Sequence, residues 1–265
     1  MLDLLYEADR PTRIDLPAAV AERYPGDLGF ERPRTVANFV STLDGVVAIP
    51  GVARANRLIA DENDDDRFVM GLLRAVADTI LIGSGTLQGS PGGLWTAESA
   101  YPEIGVAWAE LRQAQGMPDL PGLAVVTGSG MIDPAHPAFE RGAMVVTTDQ
   151  GARVLRGRLP AASEVVPVCE GPLVDMRLAL QAVRKEGREV VVAEAGPHVM
   201  GSMLAEGLVD ELFLTLSPLV AGRSETATRL GFAEGTELLP GLRVAGTLVG
   251  ARRQGSHLFL HYDLG

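Results

Sequence analysis

Cysteine is nearly absent: Cys169 is the only one in 265 residues. One thiol excludes an intramolecular disulfide and any cysteine-based zinc site. Following the strand-like run SEVVPV, it reads as a buried, inert side chain. Positive charge is short as well, with 23 Lys and Arg against 34 Asp and Glu and a formal net charge of -11. That balance argues against a nucleic-acid backbone or an anionic membrane surface as partner. A phosphate can still be held locally, by backbone N–H groups and a few arginines. Long apolar runs are missing too; none approaches the roughly 20 residues that span a bilayer. The first residues, MLDLLYEADRPTR, carry an acid at Asp3 and no basic segment ahead of an apolar run, so they do not read as a secretory signal. A cytoplasmic protein is the expectation.

What is present suits one large α/β domain, with 46% hydrophobic and 22% charged residues. Residues 1–33 hold four prolines and read as an N-terminal arm. RTVANFV (34–40) is a strand, and Ser41 to Gly45 turns with an Asp-Gly signal. Residues 46–60 read as loop or short strand. The acid run from Asp61 to Asp66 precedes Phe68, Val69, Leu72, Leu73 and Val76, whose spacing makes one helical stripe. Carboxylates in a first turn favour such a helix through its dipole. Thr79 to Ile82 is fully apolar and reads as a central strand. Residues 90–121 form an insertion with a helical stripe of Ile104, Ala107, Trp108 and Leu111. Strands at 123–127, 143–147, 164–168 and 188–193 then alternate with helices near 149–157, 172–186 and 199–206. Glu211 to Ser217 alternates cleanly. Leu242–Gly250 and His257–Tyr262 form an antiparallel pair joined by a polar turn from Arg252 to Gly255. The pattern predicts a single three-layer α/β/α domain over 34–265, with a mixed, mostly parallel sheet and a C-terminal antiparallel hairpin.

Two glycine-bearing breaks carry the functional signal. TILIGSGTLQG (79–89) and VVVAEAGPHVMGSMLAEGLVDELFLTLSP (190–218) each stop an apolar strand at small residues. Bare backbone N–H groups at such tips can dock an anion such as a pyrophosphate. Two of them suggest a dinucleotide cofactor, and therefore redox chemistry. Known spacings do not apply: after Gly83 and Gly85 the third glycine, Gly89, falls one residue late for a Rossmann fingerprint, and no phosphate-loop GK[ST] exists. Gly196 is free to take φ > 0, and Pro197 suits a first helical turn. Plain turn punctuation is the competing reading of both breaks. No metal site is expected. His257 and His261 lie four apart in a strand, a span of roughly 13 Å at about 3.3 Å per residue.

In order along the chain, NFVSTLDGVVA (38–48), DRFVMGLLRAVAD leading into ILIGSGTLQG, and EAGPHVMGSMLAEGLVDELFLTLSPLVAG are similar to motifs of one family. They resemble the reductase domain of bacterial riboflavin biosynthesis, a relative of dihydrofolate reductase, over about residues 34–263. Stand-alone actinobacterial-type members share the arm and the insertion. The resemblance implies an NADPH-dependent, homodimeric reductase. It places Gly83, Ser84, Gly85 and Thr86 on one side of the cofactor. Glu194, Ala195, Gly196, Pro197, His198 and Val199 fall on the other, with Thr127 and Ser129 nearby as hydroxyl donors. Asn38, Ser41, Asp44 and Asp66 fall on the substrate side.

Ala195 stands where the family has glycine, so its methyl either crowds the cofactor or faces the core. His198 stands where threonine is common. Gly128 lies where related chains offer a basic residue to the cofactor's 2′-phosphate, leaving the choice of NADPH or NADH open. Asp44, Asp66 and Glu194 are the candidate catalytic carboxylates, with a dipole-stabilising surface acid as the plainer reading of Asp66. Arg54, Arg57 and Arg67 are candidates for a substrate phosphate. The implied reaction is reduction of 5-amino-6-(5-phosphoribosylamino)uracil. A dihydrofolate-reductase-like activity and a non-catalytic nucleotide-binding protein stay open beside it. The deaminase that often accompanies this reductase needs more cysteines than the chain has.

Overall fold

The computed structural model describes residues 1–265, apart from the side chain of Glu186. Ten strands form one sheet: β1 (Asp3–Glu7), β2 (Arg34–Ser41), β3 (Thr79–Gly83), β4 (Gly122–Thr127), β5 (Met144–Thr148), β6 (Glu164–Cys169), β7 (Val190–Ala193), β8 (Glu211–Leu216), β9 (Thr247–Gln254) and β10 (His257–Asp263). Their spatial order is β1-β9-β10-β8-β2-β7-β3-β4-β5-β6. Every pair from β8 through β6 is parallel, and the pairs of β10, β9 and β1 are antiparallel. The central strands β3 and β7 are buried along their whole length, which explains why neither alternates with polar residues.

Helices cover both faces. They are α1 (Ala18–Arg23), α2 (Ala55–Ile59), α3 (Asp64–Val76), α4 (Ser84–Gly89), α5 (Ala97–Ala100), α6 (Gly105–Ala114), α7 (Asp149–Leu155), α8 (Met176–Val183) and α9 (Pro197–Ala205). One core holds Val20, Phe68, Leu72, Trp108 and Leu111 against Val36, Ile80, Val125 and Val192. The other holds Leu180, Val183, Met200 and Met203 against Leu81, Val126, Val191 and Leu212. The sheet is therefore the middle of three layers, as the alternation of elements predicts.

Three local expectations change. The hairpin sits further along the chain, with β9 starting at Thr247 and the turn at Gly255-Ser256. Arg252 belongs to the strand and is 2% exposed. Its guanidinium lies 3.8 Å over the Tyr24 ring and pairs with Glu7 at 2.6 Å. Partners from the N-terminal arm let a charged residue occupy a buried strand. The arm also supplies β1, so the outer edge of the hairpin is already paired within the chain. Residues 46–60, expected as loop or short strand, are mostly loop with one bridge, Ala48 to Leu230, and end in the unforeseen α2. Cys169 is half-buried at the end of an edge strand, donating to Leu173 O at 3.2 Å.

Candidate active site

A cleft of about 810 Å³ opens where β2, β3 and β7 end. It is of the size that holds a small ligand. Ligands of parallel sheets bind beyond the carboxyl ends of the strands, and the two glycine breaks meet there. β3 and β7 are neighbours; β3 runs straight into α4, and β7 reaches α9 through the three-residue turn 194–196. Gly83 caps α4 and Gly196 caps α9, neither with a side-chain hydrogen bond to the first turn. A methyl group on Gly83 would sit 3.3 Å from Val199 Cγ2 and 3.8 Å from Gly196 N. On Gly196 its nearest neighbour would be Thr86 Oγ1 at 3.8 Å, and on Gly85 nothing lies within 4 Å. The strand tips therefore adjoin, with bare backbone facing open space. Gly196 has φ -66, so the expected left-handed turn does not occur. Its value here is the missing side chain. Ala195 is 2% exposed and packs within the second core; of its two readings, the methyl facing the core is the one observed.

Helix α3 supplies the charged wall. Asn63 caps it, accepting from Asp65 N at 2.9 Å and Asp66 N at 3.0 Å. The stripe Phe68, Leu72, Leu73 and Val76 faces the core. Asp66, Met70 and Arg74 follow each other one turn apart on a second stripe and line the cleft. Arg74 donates to both oxygens of Glu194, at 2.8 and 2.6 Å, and also reaches Thr96 O and Ser99 Oγ in the insertion. Both side chains of that pair are 9% exposed. Glu194 is thus held as a bidentate, charge-assisted partner.

Asp66 is only 8% exposed, which overturns its reading as a surface acid. Burial pushes its carboxyl up to about 6; the Thr215 hydroxyl pulls the other way and the nearby Glu194 charge adds to the rise. An acid titrating there can hold or release a proton near neutrality. Asp44 is occupied differently. It accepts from Thr42 Oγ1 at 2.6 Å, Ala221 N at 3.0 Å and Gly222 N at 2.9 Å. The Thr42 hydroxyl foremost, with those amides, holds its carboxyl down at about 2. It ties the 41–45 turn to the long 217–246 segment and lies outside the cleft lining. Ser41 donates to Thr42 O and also lies outside. Asn38, His198 and Val199 line the cleft, whereas Thr127 and Ser129 stand at the next strand tip, beyond it. Of the three arginines, Arg57 pairs with Glu62 and Arg67 with Asp64. Arg54 lines the cleft, with its backbone N–H on Gly89 O at 3.0 Å.

Residues 33–250 match the RibD C-terminal domain family. The chain belongs to that family. An Archaeoglobus fulgidus protein named 2,5-diamino-6-ribosylamino-4(3H)-pyrimidinone 5′-phosphate reductase is 24% identical over 202 residues, covering 74% of this chain and 85% of its own. A pyrimidine reductase-like protein of Corynebacterium diphtheriae shares the fold with a TM-score of 0.63 at 20% identity, over 88% of this chain and 92% of that one. The riboflavin biosynthesis reductase Rib7 of Saccharomyces cerevisiae gives 0.60 at 14%, over 93% and 98%.

Within this RibD C-terminal domain, sequence reading missed Arg74, Thr215 and the 217–246 segment. Arg74 was findable, since it repeats the Asp66 position two helical turns on. Thr215 belongs to β8, whose leucine alternation drew attention to the opposite face. The 217–246 segment has no periodicity, yet Leu230 reaches the cleft and Glu234 N bonds Pro197 O at 3.1 Å. Gly85 and Gly196 leave open space at the two turns, into which an anionic group such as a dinucleotide's diphosphate fits. Among the described residues, no group of three His, Cys, Asp or Glu could hold a metal ion, and no helix is long and apolar enough to cross a membrane.

Proposed function

We propose that this protein is a nicotinamide-dependent reductase of a ribosylamino-pyrimidine 5′-phosphate in riboflavin biosynthesis. The observation that carries the reading is Asp66, a buried acid titrating near neutrality in a cleft whose far wall is bare glycine backbone. Gly83 to Thr86 and Gly196 to Val199 would hold the dinucleotide. When bound, it supplies a hydride. Reduction of a sugar carbonyl or imine adds that hydride to carbon and a proton to the adjoining oxygen or nitrogen. Asp66 delivers the proton in this reading. The Arg74–Glu194 pair keeps the floor of the cleft rigid and charged, orienting the ring. Arg54 meets the substrate phosphate. NADPH, a homodimeric state and a cytoplasmic location come with the family resemblance.

The proposed substrate is 5-amino-6-(5-phosphoribosylamino)uracil. The archaeal relative's name favours the 2-amino pyrimidinone as a second reading. Both are tested by following loss of the reduced coenzyme's near-ultraviolet absorbance with each compound in turn. Turnover with one and not the other chooses between them, and turnover with neither sinks the proposal.

A further inference from the structure

The choice of coenzyme is written in the strand tips beyond the cleft, and this inference rests on the reductase reading. Asp66, Arg74 and Glu194 stand on the α3 and β7 side, and the bare glycine turns at the tips of β7 and β3. The sheet continues from β3 to β4 and β5. A dinucleotide with its reactive ring toward Asp66 and its diphosphate on the glycine turns carries its adenosine ribose over the β3, β4 and β5 tips.

Those tips contain no cation. Residues 79–93, 122–139 and 143–152 include neither Lys nor Arg; Asp149 opens α7, and the first cation of that helix, Arg153, comes one turn further on, beside Asp149. Nor can a long side chain enter where the backbones touch. A methyl on Gly128 would lie 2.9 Å from Pro172 O, and on Gly130, whose φ is +69, 2.5 Å from Gly151 O. The hydroxyls there are engaged. Thr147 donates to Thr127 O at 2.5 Å and Thr148 to Gly128 O at 2.7 Å. Thr127 Oγ1 accepts from Gly130 N at 3.2 Å. Ser129 Oγ accepts from Met131 N at 3.2 Å and keeps its own proton to donate.

A phosphate monoester brings about -1.5 to -2 charges. Leaving water for a site without a charge-assisted donor, on a chain of net charge -11, gains it nothing. A ribose hydroxyl needs one hydrogen bond, which Ser129 can supply. We propose that the protein binds NADH at least as tightly as NADPH, because its β3–β5 tips offer close-packed backbone and neutral hydroxyls, the exposed one being Ser129, but no cation to a 2′-phosphate.

The test is fluorescence titration of the whole protein with NADH and NADPH, at roughly 50 and 500 mM salt. The expected ratio of affinities stays within about threefold or favours NADH, and changes little with salt. NADPH binding tighter by more than about threefold overturns the inference while leaving the reductase reading intact. Binding of neither overturns both. Ser129→Arg adds the missing cation and is expected to move the ratio toward NADPH by about tenfold. An unchanged ratio in a folded S129R protein rejects the placement of the ribose.

Discussion

Two buried carboxylates at opposite ends of the sheet share a residue class and differ in everything that follows. Glu211 opens β8 and is fully buried. Arg10 grips both its oxygens, at 3.1 and 2.7 Å, and His261 Nε2 lies 2.5 Å from Oε2. The His261 ring stacks on Phe213 with centroids 3.9 Å apart. Burial alone pushes the Glu211 carboxyl up, but the His261 and Arg10 hydrogen bonds outweigh it and hold the acid below its ordinary value. Asp66 opens α3, is nearly as buried, and has a hydroxyl and no cation to answer the cost. The number of partners decides the outcome: the first acid fastens the N-terminal arm to the sheet, and the second is left with its carboxyl raised to about 6. Buried charge becomes chemistry where its compensation is left incomplete.

The comparison breaks first at Glu211. Glu211→Ala strands Arg10 and is expected to cost about 3–5 kcal/mol of stability in chemical denaturation. The same variant, where folded, should keep the wild-type coenzyme affinity. A loss of affinity larger than the loss of stability would tie the two ends together and undo the contrast.

Asp66→Asn should do the reverse. A kcat loss of about 10²–10³-fold is expected, with coenzyme binding retained. Stability should rise by about 1–3 kcal/mol above neutral pH, because an ionised carboxylate no longer has to be buried. The sign follows from linkage. The folded value, about 6, lies above the unfolded value of about 3.9. The native state therefore binds more protons between the two, and stability falls as pH rises from about 4 to about 6. For the reaction, kcat should decline as pH climbs above about 6, and that limb should vanish in D66N. A wild-type rate flat from pH 5 to 8, with chemistry limiting, would remove Asp66 from the proton step.

These sites were unequally legible. The three layers, the central strands and both glycine turns follow from β-branched runs, helical spacing and small residues, all local signals. Asp66 could be named but not ranked, since three carboxylates competed and only burial separates them. Arg74 escaped because its neighbours Leu72, Leu73 and Val76 read as core and absorbed the whole helix. Arg252 misplaced the hairpin turn, because its aromatic and acidic partners lie about 230 residues earlier in the chain. Contacts that remote leave no trace in local periodicity.

Asp44 gives the smallest effect and the sharpest control. It shares with Asp66 an expected catalytic role, and its oxygens are already spent on Thr42, Ala221 and Gly222. Its folded value near 2 is below the unfolded value of about 3.9. Its stabilising contribution is therefore complete above about pH 4 and fades as pH falls through 2. At neutral pH, Asp44→Asn keeps one acceptor oxygen and loses the charge. The expected result is a loosened 219–222 segment, seen as faster amide exchange at Ala221 and Gly222, with kcat within about threefold of wild type. A hundredfold fall in kcat without that local loosening would move the proton donor from the helix start to the turn, and the partner count of a carboxylate would no longer predict its role.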